Sequence, residues 1–303
     1  MHLFVTGGTG LTGPAVVAEL VAAGHTVTGL ARSDAAAARL ESLGAAPLPG
    51  SLDDLDALRK GAEAADGVLH MAFGGDFADP DDLERRDVAA IETLGHAVQG
   101  SGKPFVVTSG TAVLPAGRVG AEDDEPDPKG IAPFRIPGER ACLAFAAQGV
   151  RASVVRLAPT VHGPRDHGFI GVLVATARET GVSAYVGDGA NRWPAVHRLD
   201  AATLFRLAVE GAPAGSVLHG VAEPAVTLRS VAEVIGRGLG LPTASLSPDE
   251  AATHFPSPFL ARVFGHDGPA SSARTRELLG WSPRHPTLLE DLQHGDYLAA
   301  HGA

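Results

Sequence analysis

Residues 6–13 read TGGTGLTG. HLFVT, at 2–6, is a short apolar run, and Val16, Val17, Leu20 and Val21 follow at helical spacing. A strand that hands over to a helix through a glycine run is the most restrictive arrangement in this chain. Gly7 suits the tight turn, Gly10 lets a backbone approach a phosphate, and Gly13 lets the helix pack close to the strand. Thr9 and Leu11 belong to the same loop. Pro14 is well placed near the helix start, where its missing N–H costs nothing. The free N–H groups and positive dipole end of that helix favour a pyrophosphate. The strand before the loop and the helix after it give the pattern its weight.

The rest of the chain repeats the rhythm. Strands are expected at 25–32, 65–73, 103–110 and 151–159, with helices at 14–23, 34–43, 81–99 and 137–148. Strands that are apolar throughout and alternate with helices imply a parallel sheet covered on both faces. The fold class is therefore α/β, a Rossmann-type doubly wound sheet, with a smaller and mostly helical C-terminal region. A polar, Pro-rich loop occupies 115–133 and another loop 161–169. Beyond them, helices are expected near 170–180, 228–239 and 274–279, and a short strand and the start of a helix within 187–205. A strand near 216–222 is expected to return to the sheet. The division expected is 1–160 for the dinucleotide-binding core and 161–303 for an interleaved substrate-binding region.

The end of the second strand reads GLARSD, at 29–34. An acid there would hold a ribose 2′-hydroxyl, whereas an arginine fork accommodates a 2′-phosphate. Arg32 and Ser33 stand in that place, which favours NADP(H) over NAD(H), with Asp34 the competing ribose ligand.

These motifs resemble the extended, atypical branch of the short-chain dehydrogenase/reductase superfamily, the branch related to nucleotide-sugar epimerases. TGGTGLTG is similar to its TGxxGxxG, GVLHMAF (67–73) to its fourth-strand motif and VVTSGTAV (106–113) to the strand with the active-site serine. VVRLAPTVHGP (154–164) is similar to its sixth-strand segment, and WPAVHRLDAA (193–202) to its VHVDDVA segment. The resemblance implies that Met71, Ala72 and Phe73 line the cofactor. Its third-strand Gly-Asp reads Gly50-Ser51 here, so Ser51 and Leu52 meet the adenine side, with Asp53 and Asp54 just beyond. Ser109 fits the family serine by the TSG pattern; alignment on the following AVL instead puts Gly110 there and Thr111 next. It also implies a Tyr-x-x-x-Lys acid–base pair, and the chain departs from that. Its two tyrosines, Tyr185 and Tyr297, are followed four residues later by Gly189 and His301, and its only lysines are Lys60, Lys103 and Lys129. At the expected place stands Arg135-x-x-x-Glu139, with Phe134 adjacent.

Other groups must then assist any hydride transfer. Ser109 and Thr111 are candidates to hydrogen-bond a carbonyl oxygen, or else cap the strand end. His162 and His167 are candidate proton donors, because ligands in such sheets sit off the carboxyl ends of strands and histidine titrates near neutrality. Arg135, Trp193 and His197 are candidate substrate contacts, and Arg135 has an i,i+4 surface pair with Glu139 as its bland reading. His70 and Cys142 read as core residues. No histidine or cysteine spacing suits a metal.

A net charge of −11, spread along the chain, argues against a nucleic-acid surface. No apolar run reaches the ~18 residues of a membrane span. The N-terminal stretch lacks the order of a signal peptide, and Cys142, the single cysteine, forbids an intrachain disulfide, so a cytoplasmic setting is expected. The functional expectation is an NADP(H)-dependent reductase or dehydrogenase of a small or mid-sized carbonyl or alcohol. A non-catalytic dinucleotide-binding regulator and a nicotinamide-using epimerase or lyase are the alternatives. A homodimer through helices 81–99 and 137–148 is expected by analogy with the family.

Overall fold

The computed structural model describes residues 1–74 and 79–299. Its first half is β1 (His2–Thr6), α1 (Gly13–Ala22), β2 (Thr26–Ala31), α2 (Asp34–Ser42), β3 (Ala46–Pro49), α3 (Leu55–Ala64), β4 (Gly67–His70), α4 (Pro80–Ala97), β5 (Pro104–Gly110), α5 (Ile136–Ala144) and β6 (Arg151–Leu157). There follow β7 (Thr160–His162), α6 (Phe169–Thr180), β8 (Ser183–Val186), β9 (Arg192–His197), α7 (Arg198–Gly211), β10 (Ser216–Gly220), β11 (Glu223–Thr227) and α8 (Leu228–Leu239). The chain closes with β12 (Thr243–Leu246), α9 (Pro248–His254), α10 (Pro258–Phe264), α11 (Ala273–Leu279) and α12 (Leu288–His294).

Seven parallel strands form one sheet in the order β10-β6-β5-β4-β1-β2-β3. This is a Rossmann-type α/β fold. The strand order reverses between β1 and β4, where a crevice opens outside the strand ends. Alternation along each strand builds two cores. Leu3, Val5, Val106 and Val155 pack with Val16 and Leu20 of α1 and Leu204 and Phe205 of α7. Phe4, Phe105, Val107 and Val154 face the other way, onto Leu58 of α3, Ile91 and Leu94 of α4, and Cys142 of α5. A third core, with Trp193, Phe255 and Phe264, unites β9 with α6, α8, α10 and α12. Among the described residues, no helix is long and apolar enough to cross a membrane.

Three local expectations need correction. The strand expected at 65–73 is regular only over Gly67–His70, so Met71–Phe73 are free to line the crevice. The strand expected to reach 159 ends at Leu157, and the presumed loop at 161–169 begins inside β7. β3 and α3 were not anticipated. APLP has two prolines, but β3 is the sheet's edge, where a missing N–H is tolerated. Asp54 caps α3 by accepting from the Ala57 amide.

Candidate active site

A cavity of about 650 Å³ opens at the β1/β4 reversal. Gly7, Thr9, Gly10, Leu11 and Gly13 form one wall. Gly7 has φ +75°, and a Cβ there would lie 2.6 Å from the Ala72 amide nitrogen. A Cβ on Gly13 would lie 2.1 Å from the Gly7 carbonyl oxygen. Gly10 differs: its Cβ would meet only the Gly7 oxygen, at 3.4 Å, so its open side faces the cavity. Thr12 gives α1 no side-chain cap, and its first turn holds no acid. Pro14 has no N–H and the Ala15 amide donates to the Thr12 carbonyl at 3.1 Å, so the Gly13 amide and the positive end of α1 are what the turn offers an anion, and the wall fits a pyrophosphate.

Arg32 leaves β2 on the adjacent wall, exposed and without an ion pair among the described residues. Ser33 does not line the cavity; its hydroxyl caps α2, accepting from the Ala36 amide at 3.2 Å. Ser51 and Leu52 line the cavity, as do Met71, Ala72 and Phe73. Sequence reasoning missed Arg86 and Thr108 on the same lining. Thr108 had a signal, since it adjoins Ser109 at the end of a parallel strand. Arg86 had none, because α4 brings it in from the far side of a crossover. Arg86 grips Asp53 with two hydrogen bonds of 2.8 and 2.7 Å, which hold that carboxyl below its ordinary range.

Thr108, Ser109 and Thr111 bring three hydroxyls to the end of β5, none with a partner among the described residues. Ser109 and Thr111 are buried behind the wall that Thr108 shares.

The remaining candidates are not gathered here. His162 is wholly buried on β7, and its Nδ1 lies 2.8 Å from Asp291 on α12. His167 is exposed and outside the cavity lining. Trp193 sits in the third core and donates to the His266 carbonyl. His197 caps α7, with Nδ1 accepting from the Leu199 amide. Its ring meets those of His162 and His285 at 5.3 and 4.9 Å between centroids. Burial pushes His197 down to about 4, and the neighbouring His162 adds to this.

Arg135 does not pair with Glu139. It turns towards Asp87, at 3.1 Å, and lies 3.7 Å over the Phe73 ring. Burial lowers the Arg135 guanidinium and the Asp87 charge opposes this. Glu139 instead pairs with Arg156 of β6. The i,i+4 pair fails because Arg135 precedes α5 and each side chain meets a buried partner on another element, Asp87 on α4 and Arg156 on β6.

The match to known proteins agrees with this geometry. Residues 3–218 match the family model of the NAD dependent epimerase/dehydratase family. An uncharacterised protein of Schizosaccharomyces pombe is 46% identical over 298 residues, which cover 98% of this chain and 100% of that protein. A 4-hydroxy-2-methyl-3-oxo-4-farnesyl-3,4-dihydroquinoline-1-oxide ketoreductase of Stigmatella aurantiaca is 31% identical over 237 residues, 76% of this chain and 71% of the relative. Among solved structures, a dTDP-glucose 4,6-dehydratase of Streptomyces venezuelae with NAD bound superposes with TM-score 0.80 at 20% identity, covering 98% of this chain and 96% of that one. The chain belongs to the NAD dependent epimerase/dehydratase family.

Proposed function

We propose that the protein is an NADP(H)-dependent reductase or dehydrogenase of a small or mid-sized carbonyl or alcohol. One observation carries this reading: an unpaired Arg32 stands on the wall of the glycine-loop cavity, at a strand end that bears no acid. A 2′-phosphate is the group such a fork accommodates. The other guanidinium on the lining, Arg86, is already committed to Asp53.

Gly7–Gly13 and the start of α1 hold the pyrophosphate, and Met71–Phe73 and Thr108 bound the opposite half of the cavity. Bound there, the nicotinamide supplies or accepts a hydride at the substrate carbon. The chain contributes the surroundings of the substrate oxygen. In this reading the unpartnered hydroxyl of Thr108, on the cavity lining, donates a hydrogen bond to it and steadies the charge that develops there, with Ser109 and Thr111 buried behind it and the proton that completes an alcohol coming from solvent. General-acid help of about 10²–10⁴-fold is what a Tyr-x-x-x-Lys pair would add. This chain has no such pair, so turnover rests on positioning and electrostatics. Residues 161–303 form the substrate-binding part in this reading.

The same absence favours a second reading, a dinucleotide-binding regulator without turnover. The test is a calorimetric titration with NADPH and NADH, followed by nicotinamide absorbance on a carbonyl panel. Preference for NADPH with turnover supports the reductase. Tight binding without turnover supports the regulator. Cofactor retained through purification, with substrate converted and no net redox change, supports an epimerase or lyase. Binding of neither nucleotide ends all three.

A further inference from the structure

A single polar chain runs beneath the β4/β5 half of the cavity. It starts at the Ala72 amide, which donates to the Thr6 hydroxyl at 3.2 Å. Thr6 Oγ1 lies 2.9 Å from His70 Nδ1, and His70 Nε2 lies 3.4 Å from Asp87 Oδ1. Arg135 Nη1 donates to Asp87 Oδ2 at 3.1 Å, and Arg135 Nη2 donates to the Thr108 carbonyl. One protonation pattern satisfies every member: Thr6 donates to His70 Nδ1, and Nε2–H donates to Asp87. Thr6, His70 and Asp87 are 0%, 1% and 4% exposed, so the middle of the chain is sealed from water, while Arg135 is partly buried.

Both ends of this chain are cavity wall. Ala72 and Thr108 line the cavity, and so does Phe73, whose ring carries the Arg135 guanidinium. The adenine half lies the other way, over β2 and β3, where Arg32, Ser51 and Leu52 stand. A dinucleotide laid across the β1/β4 reversal puts its other half over β4 and β5. We infer that Arg135 is a positioning residue that fixes Phe73 and Thr108 as the seat of the nicotinamide half by direct contact, held in place by the Asp87–His70–Thr6 chain that also braces Ala72, without touching substrate. This rests on the dinucleotide-binding reading above. The distinguishing feature is selectivity. The chain braces one half of the cavity and leaves the glycine loop and the Arg32 wall alone.

The experiment compares two probes by calorimetry. One is whichever of NADPH and NADH the wild-type chain holds more tightly; the other is the same nucleotide without its nicotinamide, 2′-phospho-ADP-ribose or ADP-ribose. Arg135→Gln is expected to weaken the dinucleotide by about ten-fold while the ADP-ribose probe stays within about two-fold. Arg135→Lys, which keeps the charge beside Asp87 but loses the fork, is expected to fall between. Phe73→Leu leaves the buried ion pair intact, so it answers the question even where Arg135→Gln does not fold, and the same selective loss is expected. Equal loss of both probes, or no change in either, overturns the inference. So does a wild-type chain that holds both probes equally. If the wild-type chain binds neither probe, the dinucleotide reading itself has failed, and this inference with it.

Discussion

Arg156 on β6 and Glu139 on α5 form a two-pronged ion pair, with Nη2–Oε2 at 2.8 Å and Nε–Oε1 at 3.0 Å. Their side chains are only 3% and 2% exposed. Arg156 also donates to the Asp124 carbonyl, so the pair ties the loop after β5 to the sheet. Truncating one partner leaves the other charge buried and alone. Glu139→Ala is expected to destabilise the fold by about 3–5 kcal/mol. Urea unfolding followed by circular dichroism checks this, and a loss no larger than that of an exposed pair would refute it.

The glycine loop separates packing from binding. A methyl at Gly13 would meet the backbone of Gly7 and Gly8 at 2.1 and 2.5 Å. Gly13→Ala should therefore lower the melting temperature and abolish dinucleotide binding together. A methyl at Gly10 meets one atom of the protein, at 3.4 Å, so Gly10→Ala should leave the melting temperature almost unchanged and still weaken binding. Thermal unfolding beside calorimetry reads both effects.

Arg32 is exposed and unpaired among the described residues, so its removal should leave folding alone. In the proposed function, Arg32→Ala forfeits charge-assisted bonds to a 2′-phosphate, typically about 1.5–3 kcal/mol. That corresponds to roughly ten- to hundred-fold in the NADPH dissociation constant, with the NADH constant unchanged. Equal effects on the two nucleotides would remove the argument for NADP(H).

His197 makes stability pH-dependent. Its imidazole is held neutral in the fold, down to about 4, against an ordinary 6.5. The unfolded chain therefore takes up the proton first as the pH falls. This contribution is full above pH 6.5 and drains away down to about pH 4. The groups around the ring are His162, His285, Asp291 and Asp200, and the carboxylates only partly offset burial and the neighbouring histidines. Denaturation midpoints across that window should fall with pH. His197→Asn, which keeps a cap acceptor for the Leu199 amide, should flatten the slope.

Much of the first half of the Rossmann-type fold was legible in the sequence because its signals are local. A glycine loop between a strand and a helix, apolar runs punctuated by glycine, and the absence of an acid after β2 can all be read within a few neighbouring residues. The strand order came only with the structure, which adds β3 at the sheet's edge to the strands read from the sequence. What the sequence left open is the set of partners that converge from distant segments. Arg135 and Glu139 are four residues apart and read as a pair, yet each is claimed by a residue on another element, Asp87 and Arg156. His162 reads as a loop histidine beside a site, yet Asp291, more than a hundred positions away, holds it inside the protein. Arg86 reaches the cavity only because α4 folds back along the sheet. Burial of polar side chains explains the first two, whereas Arg86 and Asp53 are 28% and 61% exposed and meet through the packing of α4 alone. Local pattern decides which face of an element is apolar, but a charge on that face must find its counter-charge wherever packing brings one, and only the tertiary structure decides where that is.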